Sequence, residues 1–164
     1  MTPQIQKWVK NNRKKFIKHP EKVLEIGSKD ITGNVREYFS DAQEYIGTDM
    51  ERGFNVDLII DAHNLLKKFK PGSFDTLLCF EMLEHDCQFW TTTEIIHKLV
   101  KKGGFLMIST PTFGFPLHRH PKDYFRYGED AFREIFFKGF KILTLDEVKD
   151  DYGNPGICCL GQKL

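Results

Sequence analysis

The segment Val23-Leu24-Glu25-Ile26-Gly27-Ser28 is followed, 22 residues after Gly27, by Asp49 in Tyr45-Ile46-Gly47-Thr48-Asp49-Met50. An apolar run ending in an acid and a glycine is how a buried parallel strand delivers a tight turn. A second strand ending in a carboxylate about 20 residues later can accept hydrogen bonds from a ribose diol. The pair restricts the chain to an alternating strand and helix fold with a nucleotide-type ligand at the strand ends. A dinucleotide is disfavoured, because Lys29, Asp30 and Ile31 stand where further glycines would let backbone reach a pyrophosphate. Glu25 argues the same way. A carboxylate at the strand tip repels a pyrophosphate and attracts a ligand carrying a sulfonium and an ammonium group.

S-adenosylmethionine has both cations, an adenosine and no phosphate. Later segments continue the pattern: Val56-Asp57-Leu58-Ile59-Ile60-Asp61-Ala62 reads as a third strand ending in an acid, and Phe74 to Glu81 as a fourth running into Met82-Leu83-Glu84-His85. Leu99-Val100-Lys101-Lys102-Gly103-Gly104 closes a helix on a Gly-Gly turn before a fifth strand. These five ordered blocks resemble the class I S-adenosylmethionine-dependent methyltransferases, over residues 22–163. The first loop, Glu25 to Asn34, is similar to a subgroup with Gly-Ser and a later glycine, Gly33, in place of the commoner acid-x-Gly-x-Gly-x-Gly.

The resemblance implies an α/β fold with a single doubly wound, Rossmann-like seven-stranded sheet, in the order 3-2-1-4-5-7-6 with an antiparallel last strand and helices on both faces. Strands are expected near 22–26, 44–48, 56–60, 74–80 and 104–109, with two more after residue 140. Helices are expected near 3–17, 33–39, 88–101 and 129–137. One methyltransferase domain spans 1–164, with a basic N-terminal helix in 1–20 and an acceptor-side loop at 110–128. At this length any substrate-binding cap is expected to be short or to come from a partner.

For the cofactor, Glu25 is expected near the cationic methionine end, the alternative being an ion pair with Lys29. Asp49 takes the ribose hydroxyls and Met50 packs on the adenine. By resemblance Asp61 accepts from the adenine amino group, Ala62 offers its amide to the ring, and Phe80 and Glu81 line the methionine part; Asp61 could equally cap a short helix over 64–69. Gly27, Ser28 and Gly33 allow close backbone approach, or simply a tight turn.

Thr110 to Gly128 is a long loop rich in aromatic and ionisable residues, Thr112-Phe113-Gly114-Phe115-Pro116-Leu117-His118-Arg119-His120-Pro121-Lys122-Asp123-Tyr124-Phe125-Arg126-Tyr127. It resembles the His-x-x-Pro-x-Asp-Tyr-aromatic-Arg segment bordering the acceptor pocket in that subgroup. Long loops at a ligand edge are commonly functional. His85, His118 and Tyr124 are the candidate proton acceptors. Asp123, Tyr124 and Arg126 could instead lock the loop onto the next helix. His118, His120 and Asp123 could form a two-histidine, one-carboxylate metal site, but no other block resembles a metalloenzyme and no metal is expected.

Six of the 24 Lys/Arg and none of the 23 acids fall in residues 1–20, leaving the remainder at a net charge of −5. Ile5, Trp8, Val9 and Phe16 recur there at helical spacing, so the helix packs on the sheet and solvates its basic face. The alternative, docking of an anionic partner, lacks any nucleic-acid-binding motif, and no nucleic-acid partner is expected. Neither a membrane span nor a signal-peptide core is present, and Cys79, Cys87, Cys158 and Cys159 read as reduced residues, so the expected location is cytoplasmic. The expected function is methyl transfer from S-adenosylmethionine, leaving S-adenosylhomocysteine, to a small-molecule or glycan-type acceptor. The alternative is a non-catalytic S-adenosylmethionine-binding subunit of a larger modifying complex.

Overall fold

A computed structural model describes residues 1–120 and 122–164. Seven strands, β1 Lys22–Ile26, β2 Glu44–Asp49, β3 Leu58–Ile59, β4 Phe74–Phe80, β5 Val100–Pro111, β6 Phe140–Lys149 and β7 Pro155–Lys163, form one sheet. Their order is β3-β2-β1-β4-β5-β7-β6. The pairs among β1 to β5 are parallel, and β7 runs antiparallel to both β5 and β6. The expected topology is the one observed. Register places Ile26 beside Thr48 on one side and Cys79 on the other, so β1, β2 and β4 end level and present their following turns along one edge.

Every residue of β4 is buried, as a central parallel strand covered on both faces requires. On one face Leu24, Ile26, Leu77, Cys79 and Leu106 pack against Ile95, Ile96 and Leu99 of a helix at Phe89–Leu99. On the other, Val23, Leu78, Phe80, Met107 and Leu160 meet Ile5, Trp8 and Val9 of α1, Pro3–Phe16. Thr2 caps α1, its hydroxyl accepting from the Ile5 amide, and Pro3 takes the first turn, where its missing N–H costs nothing. Trp8 Nε1 donates to Asp146 Oδ2 at 2.8 Å, tying α1 to β6.

The lysines of α1 are exposed, Lys14 and Lys15 lying in the last turn, where the helix dipole favours cations, while the largely buried Arg13 pairs with Asp41. Replacing Lys10, Lys14 and Lys15 together with Gln is therefore expected to move the unfolding free energy by less than about 1 kcal/mol. Chemical denaturation checks this, and a larger loss would mean that these cations hold the fold.

Four expected elements differ. The helix expected to run to 101 and close on Gly103-Gly104 ends at Leu99, and β5 starts at Val100 rather than near 104. The helix at 33–39 is a single 3₁₀ turn, Arg36–Phe39. Ahead of it the Asp30 carboxylate accepts from the Gly33 amide at 2.7 Å and from Asn34 Nδ2 at 2.6 Å, a local turn that competes with helix. The third strand contracts to two residues. The segment expected as a helix over 129–137 runs Glu129–Ala131 as helix and then Phe132–Phe136 as a wider π turn, closed by Phe137 N–H to Phe132 C=O at 2.9 Å. That spacing buries Phe132, Phe136 and Phe137 in one core. Cys79, Cys158 and Cys159 are buried, Cys87 is exposed, and all four are free thiols.

Candidate functional site

The β1 turn is built on Gly27, at φ +75°, a conformation open to glycine at little cost. A Cβ there would stand 2.8 Å from Met82 Cγ, so the loop after β4 rests directly on the first turn. Ser28 is buried and its hydroxyl donates to the Asn55 carbonyl at 3.0 Å. Gly33 sits at φ +129° against the Gln6 side chain.

Glu25 is buried and does not pair with Lys29, which binds Glu51 at 2.5 Å. Instead its Oε2 accepts from the Tyr45 hydroxyl at 2.6 Å and from Asn55 Nδ2 at 3.0 Å. Removal from water pushes the carboxyl up to about 7, against the opposing pull of Tyr45, Asn55 and Arg36. Neither Tyr45 nor Asn55 was singled out in the sequence. Both are reachable from it only through the register, which lays Val23 beside Tyr45 and Glu25 beside Gly47.

Asp49 ends β2. Its Oδ2 accepts from the Lys29 amide at 3.2 Å and its Oδ1 from the Glu51 amide at 3.0 Å, which pins the carboxylate between two turns and leaves lone pairs on both oxygens. Met50 beside it is 69% exposed, an apolar side chain on a ligand edge. Asp61 caps the short turn Ala62–Asn64, accepting from the His63 amide at 2.8 Å. His63 in turn contacts Asp86 at 3.0 Å, a link between the third and fourth strand ends that the sequence did not announce.

At the end of β4 Phe80 is buried, and Glu81, the next residue, adopts φ +51°, which costs a non-glycine residue about 1–2 kcal/mol. The strain is held by two bonds to β5: Glu81 N–H to Ser109 C=O at 3.0 Å and Ser109 Oγ to Glu81 Oε1 at 2.8 Å. Burial, and then the nearby Glu84, push the Glu81 carboxyl up to about 7. Backbone strain beside perturbed carboxyls is what sites of chemistry accumulate.

Glu84 and His85 follow in a 3₁₀ turn, Leu83–His85. The His118 ring, from the long loop after β5, lies 5.0 Å from the His85 ring. His85 Nε2 is 3.5 Å and His118 Nε2 3.6 Å from Glu84 Oε1. Glu84, with Asp123 behind it, holds His118 above the usual imidazole range, although 3.6 Å is too long for a hydrogen bond and the effect is that of charge at short range.

The same loop is fixed by one ion pair. Arg126 donates to Asp123 Oδ1 at 2.5 Å and to Oδ2 at 2.7 Å, and also binds the carbonyls of Phe115, Pro116 and Phe125. Asp123 further accepts from the His118 amide at 2.7 Å. Phe125 and Tyr127 are not free loop aromatics: both rings pack with Phe89, and the Tyr127 hydroxyl donates to the Leu83 carbonyl at 3.0 Å. Of the three candidate bases, His85 and His118 come together, while the Tyr124 side chain is 42% exposed and only its amide joins the cluster, donating to Glu84 C=O at 2.8 Å. His120 is exposed, and among the described residues it joins no group of three possible metal ligands. Across the same edge the hydrogen bond from Lys29 holds Glu51 below the usual carboxylate range.

An open depression of about 860 Å³ lies on the flank of β2, lined by Arg36, Tyr45, Asn55 and Asp57 among others. Arg36 in its wall pairs with Asp57 at 2.9 Å, and none of Gly27, Asp49, Asp61 and Glu81 lines it.

No family model matches this sequence. A segment of 75 residues is 37% identical to the ubiquinone biosynthesis O-methyltransferase of Paraburkholderia xenovorans (strain LB400), covering 46% of this chain and 30% of that enzyme. A protein of the same name from Xanthomonas euvesicatoria pv. vesicatoria (strain 85-10) is 39% identical over 61 residues, 37% of this chain and 26% of the relative. The chain thus spans less than a third of the curated relatives it matches. Among solved structures, the Burkholderia thailandensis 1,6-didemethyltoxoflavin-N1-methyltransferase, with 1,6-didemethyltoxoflavin and S-adenosylhomocysteine bound, superposes with a TM-score of 0.79 at 16% identity, covering 96% of this chain and 77% of that one. A SAM-dependent methyltransferase from Archaeoglobus fulgidus gives 0.69 at 17% identity, covering 96% and 94%. The [4+2]-cyclase SpnF gives 0.73 at 13% identity, covering 96% and 81%. At these identities the likeness is one of fold, and the cyclase shows that this fold carries more than one activity.

Proposed function

We propose that this chain, whose fold is that of the class I S-adenosylmethionine-dependent methyltransferases, transfers a methyl group from S-adenosylmethionine to an oxygen of a small-molecule acceptor. One observation carries the reading: Gly27, Asp49, Asp61 and Glu81 end adjacent parallel strands along one edge of this fold. Carboxylates at strand tips suit hydroxyl, amino and sulfonium groups and repel phosphate, which fits this cofactor and not a dinucleotide. The choice of oxygen follows the two O-methyltransferases whose segments this chain resembles; a glycan hydroxyl is the neighbouring possibility.

Asp49 takes the ribose hydroxyls with the lone pairs its turn leaves free. Met50 and Ala62 flank the adenine, Asp61 faces its amino group, and Phe80 and Glu81 border the methionine end. Gly27, Ser28 and Gly33 shape the first loop. Glu25 acts from behind, holding Tyr45 and Asn55 in place. When bound, the cofactor supplies a methyl group already activated by its sulfonium charge. The chain's work is to position the acceptor and exclude water, worth up to about 7–11 kcal/mol, and His85 or His118 takes the acceptor proton where one must leave. Free buried thiols fit a reducing, cytoplasmic location, and among the described residues no helix is long and apolar enough to cross a membrane.

Calorimetry with S-adenosylmethionine and S-adenosylhomocysteine tests the cofactor, and Asp49→Ala is expected to weaken binding by about 2 kcal/mol, the loss of a charge-assisted bond. No heat from folded protein would sink the reading. Labelled cofactor offered with phenolic, catecholic and sugar acceptors tests transfer. Binding without transfer to any acceptor would favour the non-catalytic subunit.

A further inference from the structure

We propose that Glu84, His85 and His118 form a binding site for one divalent transition-metal ion. Their ligand atoms lie within 4.8 Å of one another. The Glu84 side chain is 0% exposed, and neither of its carboxylate oxygens has a hydrogen-bond partner. A buried carboxylate left without donors is costly to keep, and the structure surrounds it with two imidazoles whose Nε2 atoms both face Oε1. Those separations, 3.5 Å and 3.6 Å, are too long for good hydrogen bonds. They agree with the edge of a tetrahedral site, about 3.4 Å for ligand bonds of about 2.1 Å.

The outer contacts are those of histidines prepared as ligands. His85 Nδ1 meets the Lys122 carbonyl at 2.5 Å, and His118 Nδ1 faces Asp123 Oδ2 at 3.3 Å. With its Nδ1 proton given to the Lys122 carbonyl, His85 turns its Nε2 lone pair toward Glu84; His118 takes the same tautomer when metal displaces its Nε2 proton and Nδ1 donates to Asp123, Arg126 Nη2 lying farther off at 3.5 Å. A backbone carbonyl or carboxylate behind a metal-bound imidazole favours this tautomer and orientation. Arg126 is neutralised by Asp123 and does not supply Glu84 with a partner. Two nitrogens and one oxygen suit zinc and its first-row neighbours better than magnesium or calcium, and three protein ligands leave a fourth position open. On the methyltransferase reading, to which this role alone is tied, the open position would hold the acceptor oxygen and make its hydroxyl acidic enough to lose its proton to solvent, in place of the transfer to His85 or His118.

The full chain, stripped with a chelator, is titrated with Co²⁺ followed by visible absorption and with Zn²⁺ followed by calorimetry. We expect one equivalent of each, with the intense absorption of tetrahedral Co²⁺, and roughly 100-fold weaker binding in His118→Ala and in Glu84→Gln. Glu84→Gln also separates binding from folding. Without metal its thermal midpoint should equal or exceed that of the parent, because a buried carboxylate without hydrogen-bond partners is gone, whereas Zn²⁺ should raise the midpoint of the parent alone. Folded parent that takes up neither ion, or variants that bind as the parent does, would overturn the site. S-adenosylmethionine calorimetry on the same samples keeps the two readings apart, since cofactor binding without metal uptake overturns only the metal site, and metal uptake without cofactor binding overturns only the methyltransferase.

Discussion

Asp123→Ala is expected to cost about 3 kcal/mol of unfolding free energy, at the lower end of what breaking a buried ion pair costs. The Asp123 side chain is 1% exposed and that of Arg126 16%, so solvent can do little to replace the lost partner. Three carbonyl acceptors remain to Arg126, which is why the lower figure is chosen. The His118 amide loses its acceptor as well. Because Phe125 and Tyr127 pack into the main core beside Phe89, the loss should be felt by the whole domain and appear in a urea transition followed by circular dichroism. An unchanged transition, with fast amide exchange confined to residues 115–126, would show that the loop opens alone and that the pair serves the site rather than the fold.

What the sequence discloses follows from how each feature is encoded. Parallel strands buried on both faces appear as unbroken apolar runs, so β1, β4 and β5 and the carboxylates that end the strands could be read along the chain, whereas the sheet order came only through the family resemblance. The Glu25 cage could not. Tyr45 and Asn55 lie 20 and 30 residues away and meet Glu25 only because β2 pairs beside β1 in one register. Glu84 was passed over for its neighbour His85, because burial without a partner is a property of the folded chain. The loop expected to border the acceptor pocket shows no periodicity in its aromatics, yet a loop can donate rings to a core as Phe125 and Tyr127 do. The helix expected at 33–39 failed for a local reason that was visible in principle: Asp30, Gly33 and Asn34 are turn formers at turn spacing.

Glu25 makes the most specific claim on stability, and the claim has a sign. Its carboxyl is raised from 4.5 to about 7 in the folded protein, by burial first. Below pH 4.5 both folded and unfolded chains carry the proton and the group is neutral in the balance. Between 4.5 and 7 the unfolded chain has lost that proton while the folded one retains it, so stability falls as pH rises; above 7 the folded chain bears an ionised buried carboxylate at a cost of about 3 kcal/mol. The groups facing it are the Tyr45 hydroxyl, Asn55, Arg36 and Asp30, and of these only Asp30 adds to the rise. Gln at this position can still accept from Tyr45 and Asn55 without a charge to bury. Relative to the parent, Glu25→Gln should therefore gain about 3 kcal/mol of stability between pH 4 and pH 8. Measuring the difference between variant and parent cancels Glu81 and every other group common to both. A difference that stays flat with pH would mean that Glu25 is ionised at neutral pH within its cage, and then a cationic ligand, as the sequence first implied, could draw on its charge.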